Sequence, residues 1–301
     1  MAQKKSNRKT TKKTTKAKAK HYPVVRGSFL GSTVENNTVR ILDTARALSV
    51  LNRRLYRYGR VYPVSVQMTP GGSATQTVEV YALRDDWAVH QGFSMAYKQY
   101  LKNTEDERQN LGKQTARWED FRCNDGVVGG ANTLLPTLRD PTFAGTPTIL
   151  TDGEFALSNV VDQANVKKTF TWGTPSSSQY GILQEYDKSG NAQGDPSSPT
   201  LDAPYADIDT EVNEGTHDDL QQDGNLPPYS QGGVNAGSPW VHVATLGAGA
   251  AGQQRLSTGF FNAPCGLVVL VGNDANWNSN TMMFEVKKGD YKGVGGMSLL
   301  E

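Results

Sequence analysis

The sequence predicts a mainly β fold: a sandwich of about eight short antiparallel strands, interrupted by one helical stretch and preceded by a basic arm. Three observations predict it. Apolar residues alternate with period two over much of the chain, whereas residues 87–122 change to helical spacing. The strands are short and separated by long loops rich in Gly, Pro, Ser, Asn and Asp. The first twenty residues, MAQKKSNRKTTKKTTKAKAK, hold nine Lys or Arg and no acid, with Met1 their sole large apolar side chain.

Those nine cations are Lys4, Lys5, Arg8, Lys9, Lys12, Lys13, Lys16, Lys18 and Lys20. The chain carries 31 Lys+Arg against 30 Asp+Glu, so residues 21–301 retain 22 basic and 30 acidic residues, a net of −8. A near-neutral total therefore hides a basic tail on an acidic body, the signature of a tail with its own polyanionic partner. With almost nothing apolar to bury in its first twenty residues, the arm, taken as residues 1–26, is expected to be disordered. A solubilising tail, a nuclear import signal or an acidic membrane surface are the other uses of such a stretch. Nucleic acid is the sharper expectation, because each Lys that meets a phosphate releases a condensed counterion. No apolar segment follows the charges as a secretory signal would require.

Residues 27–301 are expected to form one large β domain, with two ordinary domains as the alternative. Thr44–Arg60 reads TARALSVLNRRLYRYGR and predicts a helix with Gly59 as its C-cap. Leu48, Leu51, Leu55 and Tyr58 fall on one face, and Arg46, Arg53, Arg57 and Arg60 on the other. With Arg40 and Arg54, residues 40–60 hold six Arg against one acid, Asp43, a candidate second layer facing phosphate. Tyr62, Val64, Val66 and Met68 alternate, Pro70–Ser73 turns the chain, and Val78, Val80 and Ala82 alternate again, predicting a hairpin.

Residues 87–122 predict paired helices, with Thr104 and Glu107 as a capping box at the start of the second. Further strands are expected at 154–161, 166–172, 180–187, 240–246, 265–272 and 281–288. Residues 190–239 read as a surface-exposed, loop-rich tract. Between Asp202 and Asp223, Asp202, Asp207, Asp209, Glu211, Glu214, Asp218, Asp219 and Asp223 stand without one Lys or Arg, expected as a solvated outer face, with calcium on the alternating carboxylates of Asp207, Asp209 and Glu211 as the alternative.

Gly247–Gly252 matches GxGxxG, but the helix after it would hold about eight residues and no second half-sheet follows, so a turn of small residues is expected. Cys123 and Cys265 make no disulfide framework or metal motif. His21, His90, His217 and His242 lack zinc spacing. No nucleophile motif is present, so neither catalysis nor a cofactor or metal is expected. No apolar run is long enough for membrane insertion by a helix.

The order of parts resembles that of capsid proteins of small icosahedral viruses: a basic arm, an Arg-bearing segment and a jelly-roll-like β body. Asn52–Arg57 (NRRLYR) and Ala116–Arg122 (ARWEDFR) look most like capsid proteins of small circular single-stranded DNA viruses. The resemblance implies a single jelly-roll sandwich that self-assembles into a shell, with no enzymatic activity. The genome, single-stranded DNA in preference to RNA, would lie against the arm and against Arg46, Arg53, Arg54, Arg57 and Arg60. The implied partners are that genome, other copies of the chain and host nuclear import machinery; the implied location is the virion, with a host nuclear stage during assembly. About 60 copies would supply roughly 540 arm charges. The alternatives are a cellular nucleic-acid-binding β protein with a basic tail, which needs base-stacking aromatics such as Tyr56, Tyr58 and Tyr62, or a jelly-roll carbohydrate-active enzyme.

Overall fold

A computed structural model describes residues 23–30, 39–69, 77–110, 120–127, 133–138, 148–149, 155–190, 239–248, 254–272 and 281–300. Lys4 to Lys20, His21, His217 and the acidic tract from Asp202 to Asp223 lie outside the described residues.

The chain opens with β1 (Gly27–Phe29) and β2 (Val39–Asp43), then α1 (Thr44–Asn52), β3 (Arg60–Thr69) and β4 (Thr77–Leu83). Next come α2 (Trp87–Asn103), α3 (Glu105–Asn110) and the short strands β5 (Thr137–Leu138), β6 (Thr148–Ile149), β7 (Asn159–Val161), β8 (Lys167–Thr171) and β9 (Gln179–Gly181), followed by α4 (Ile182–Gly190). The last part holds β10 (Trp240–Ala248), β11 (Gln254–Arg255), β12 (Phe261–Pro264), β13 (Leu267–Gly272), β14 (Thr281–Val286) and β15 (Met297–Ser298). The fold is mainly β. Ten strands make two five-stranded antiparallel sheets, one ordered β1-β14-β3-β12 with β15 also on β3, the other β11-β10-β4-β13-β2.

The two sheets bury their facing sides against each other. Tyr62, Val64, Val66, Met68, Met282 and Phe284 from the first meet Leu42, Val78, Val80, Leu246, Val268 and Leu270 from the second. Each such side chain contributes roughly 1.5–3 kcal/mol by leaving water. The second sheet is also covered on its other face. Ile41, Leu83, Leu267 and Val269 pack there against Val89 and Phe93 of α2, Phe121, Phe170, Trp172 and Ile182. This explains the unbroken run Leu267–Val271: β13 is central and buried on both faces, so its sequence cannot alternate.

Several expectations are corrected. The alternating segments around residues 62–68 and 78–82 are strands but not a hairpin, because β3 pairs with β14 and β12 while β4 pairs with β10 and β13. Alternation reports that one face is buried, not which sheet a strand joins. The helix expected to reach Arg60 stops at Asn52. Arg53 takes the left-handed conformation, φ 52°, as its C-cap, and Gly59 lies outside the helix. Ser49 draws the chain out of the helix: its hydroxyl donates to the Ala45 carbonyl at 2.7 Å and accepts the Tyr56 N–H at 2.8 Å.

The strand expected at 180–187 is β9 followed by α4. Its apolar residues suit either period over so short a run. Packing decides for the helix, since Gly92 of α2 lets Ile182 approach within 3.2 Å of where a Cβ would sit. β9 also runs parallel to β8, a departure from the antiparallel expectation. The strand expected at 265–272 is two: Cys265 and Gly266, at φ 57° and 68°, turn the chain from β12 in one sheet to β13 in the other. Thr104 ends α2, its hydroxyl donating to the Tyr100 carbonyl at 2.8 Å. Residues 120–122, the end of the expected helical stretch, lie outside any helix.

Candidate nucleic-acid interface

The described chain begins at Pro23, just after the basic stretch, and its entry point is fixed by α1. The Asn52 side chain accepts the Val25 N–H and donates to the Val25 carbonyl, both at 2.8 Å, and donates to Leu48 O at 3.1 Å. Val24 packs against the core and against Gly293. Residues 23–26 therefore lie beside the C-terminus of α1, where Arg53 and Arg54 are exposed.

The turn near the C-terminus closes over the same segment. Tyr291 and Val294 exchange backbone hydrogen bonds, with Lys292 at φ 52° and Gly293 at φ 91°. Tyr56 donates its hydroxyl proton to Lys292 O at 3.0 Å, and the Lys292 ammonium donates to Leu55 O. Tyr291 accepts the Arg57 N–H at 3.0 Å. Arg60 lies 3.8 Å above the Tyr291 ring centroid and donates to Gly296 O at 3.1 Å. A neighbouring hydrogen bond from the Val286 N–H to Arg26 O, at 2.8 Å, sets Arg26 beside the end of β14, just before the exposed Lys287 and Lys288.

One end of the sandwich thus gathers Arg26, Arg53, Arg54, Arg57, Arg60, Lys287, Lys288 and Lys292. Arg53, Arg54, Arg57, Lys287, Lys288 and Lys292 are exposed, and Arg26 and Arg60 are half-buried. Partial burial lowers the Lys292 pKa from its ordinary value, and the charges of Arg57, Arg60 and Arg54 lower it further. Like charges held this close repel, and a polyanion offsets that repulsion.

Of the Arg residues singled out in the sequence, Arg53, Arg54, Arg57 and Arg60 stand together. Arg46 stands apart: its guanidinium lies 5.7 Å from the Phe155 ring centroid, beside Asp43 and Arg122. Lys287, Lys288 and Lys292 were missed, since they lie more than 220 positions from the Arg segment and nothing local marks them. Tyr56, Tyr58 and Tyr62 are fully buried, so none offers a face to a base.

Beneath the Arg segment is a buried ionic cluster. Arg122 pairs with Asp43 and lies 3.4 Å from Asp120, with all three side chains under a tenth exposed. Asp43 also caps α1 by accepting the Arg46 N–H at 2.9 Å, and Asp120 accepts the Tyr58 N–H at 3.0 Å. Burial pushes the Asp120 carboxyl up to about 6 against the opposing pull of Arg122 and the Tyr58 N–H. Burial also raises the thiols of Cys123 and Cys265 well above their ordinary range, so neither is a ready nucleophile.

The GxGxxG stretch starts at the end of β10, and β11 returns antiparallel with Gly247 opposite Arg255. A dinucleotide site needs a helix there with its N-terminus at the phosphate. His90 pairs with Asp85 at 2.8 Å, and His242 bonds Thr245 at 3.0 Å. Among the described residues no three His, Cys, Asp or Glu cluster as metal ligands, and no helix is long and apolar enough to cross a membrane.

No family model, curated protein or solved structure matches the chain.

Proposed function

We propose that the chain is a capsid protein of a small icosahedral virus, a jelly-roll subunit that self-assembles into a shell and packages a single-stranded genome. The observation that carries this is the convergence of eight cations from three distant stretches, Arg26, Arg53 to Arg60 and Lys287 to Lys292, at the end where the basic residues 4–20 join the body. The described body thereby adds its own cations at the point where the chain continues into the basic stretch of the sequence. Buried tyrosines and exposed guanidinium and ammonium groups favour phosphate contact, which is independent of sequence, over base readout. That property suits packaging of a whole genome. The resemblance of the NRRLYR and ARWEDFR stretches favours DNA over RNA.

Strand order supports the jelly-roll part. Of the eight main strands, β1, β14, β3 and β12 share one sheet, and β2, β13, β4 and β10 the other. The chain changes sheet at every step between these eight except from β4 to β10, the wrapping expected of two Greek keys. The helices and short strands of residues 87–190 enter at that one step and cover the outer face of the second sheet.

Electron microscopy of purified full-length protein, with nucleic acid measured by absorbance, tests the proposal. Nucleic-acid-filled shells tens of nanometres across are expected, and loss of the filling on deletion of residues 2–20. Empty, unassembled protein would overturn it.

A further inference from the structure

We infer that Asp120 regulates the cationic end: its carboxylate holds back the charge of the site, and polyanions bind more tightly once it takes up a proton. This rests on the nucleic-acid role proposed above and adds a control to it.

The geometry is specific. Asp120 accepts the backbone N–H of Tyr58, the residue after Arg57, and lines a small cavity of about 40 Å³ with Arg57, Gly59, Arg60, Phe93 and Tyr97. It therefore lies behind the arginines rather than among them. Every charged or titratable group that faces it is identifiable. Arg122 and Cys123 belong to its own segment, and Asp43 to the end of β2. Tyr58, Arg57 and Arg60 come from the Arg segment, Tyr62 from β3, Tyr97 from α2, Cys265 from the turn after β12, and Lys292 from the C-terminal turn.

Arg122 is shared between two carboxylates and is bonded more closely to Asp43. With Asp120 ionised the buried trio sums to −1; with Asp120 protonated, Asp43 and Arg122 remain as a closed neutral pair. Lys292 carries the mark of this, since the Asp120 charge opposes the fall of its pKa. Because burial pushes the Asp120 carboxyl up to about 6, the change falls in mildly acidic solution rather than near pH 4. Above that range the carboxylate attracts the cations of the site inward. Below it they are left to phosphate. One unit charge at this remove changes affinity by about threefold to tenfold. By reciprocity, binding a polyanion drives proton uptake.

The test uses the full-length chain carrying His21→Gln, which removes the one imidazole of the arm. Affinity for a fluorescent single-stranded oligothymidylate is measured from pH 5 to pH 8 at constant ionic strength, with and without Asp120→Asn. The expected result is tightening toward pH 5 that is about threefold to tenfold larger in the parent, with Asp120→Asn the tighter binder at pH 8. Calorimetry of parent binding near pH 6, in two buffers of different ionisation enthalpy, should show net proton uptake and does not depend on how the variant folds. Identical pH profiles for the two proteins, or zero proton uptake, would overturn the regulation alone. No binding at any pH would overturn the nucleic-acid role and the regulation with it.

Discussion

Asn52 grips the backbone of Val25 from both sides, its amide accepting the N–H and donating to the carbonyl at 2.8 Å each. This pair joins the segment just before β1 to the helix that precedes the Arg segment. Replacing Asn52 with Ala removes both bonds and the tie to Leu48 O. The protein should lose about 1.5–4.5 kcal/mol, since each of these three neutral hydrogen bonds contributes roughly 0.5–1.5 kcal/mol net. Urea denaturation of wild type and variant measures it, and an unchanged midpoint would mean that the tie adds nothing to the fold.

The exposed cations should report as salt dependence. Changing Arg53, Arg54 and Arg57 together to Gln should flatten the dependence of log affinity on log salt by up to about two units, at roughly 0.7 per neutralised phosphate contact on single strands. Oligonucleotides of different sequence should weaken alike. Arg60 is a poor choice for this experiment, because it stacks on Tyr291 and holds Gly296, so its loss would also disturb the turn.

Arg122 sits between two buried carboxylates. Arg122→Met keeps much of the volume but removes the cation between Asp43 and Asp120, leaving Arg46 beside Asp43 alone. A loss of about 3–5 kcal/mol is expected, the usual cost of removing one partner from a buried ion pair. Thermal and chemical unfolding would both show it; wild-type stability in the variant would show that water reaches the pair freely.

Asp120 also predicts the pH dependence of stability. Its folded pKa, about 6, lies above its unfolded value, so the native state binds more protons between roughly pH 4 and pH 6. The contribution is fully present below the unfolded value and is lost as pH rises through about 6. Asp120→Asn mimics the protonated form. Its stability relative to wild type should therefore rise with pH and level off above about pH 7, by up to about 3 kcal/mol. A flat difference across that range would contradict the burial of this carboxyl.

What could be read in the sequence follows from what is local. β4, β8, β10 and β14 stand where alternation or β-branched residues signalled them. The β13 run was legible as a strand, while its two-sided burial depended on the helices that cover the second sheet. Gly27–Phe29 is too short for a period and gave no signal. The turn at Cys265 and Gly266 was hidden because small and apolar residues continue through it. Arg53, Arg54, Arg57 and Arg60 were visible as neighbours in sequence, but Lys287, Lys288 and Lys292 join them only because β14 runs beside β3. Asp120 and Arg122 were noticed as part of a motif. Their link to Asp43, 77 and 79 positions earlier, exists only in the folded chain.

The most direct measurement is the mass and content of the purified full-length protein in solution, by light scattering with absorbance at two wavelengths. Closed particles of many copies that carry nucleic acid are expected, and particles or single copies largely free of it when residues 2–20 are removed. A single species at the monomer mass of 32.7 kDa without nucleic acid, under conditions where the chain is folded, would contradict that expectation.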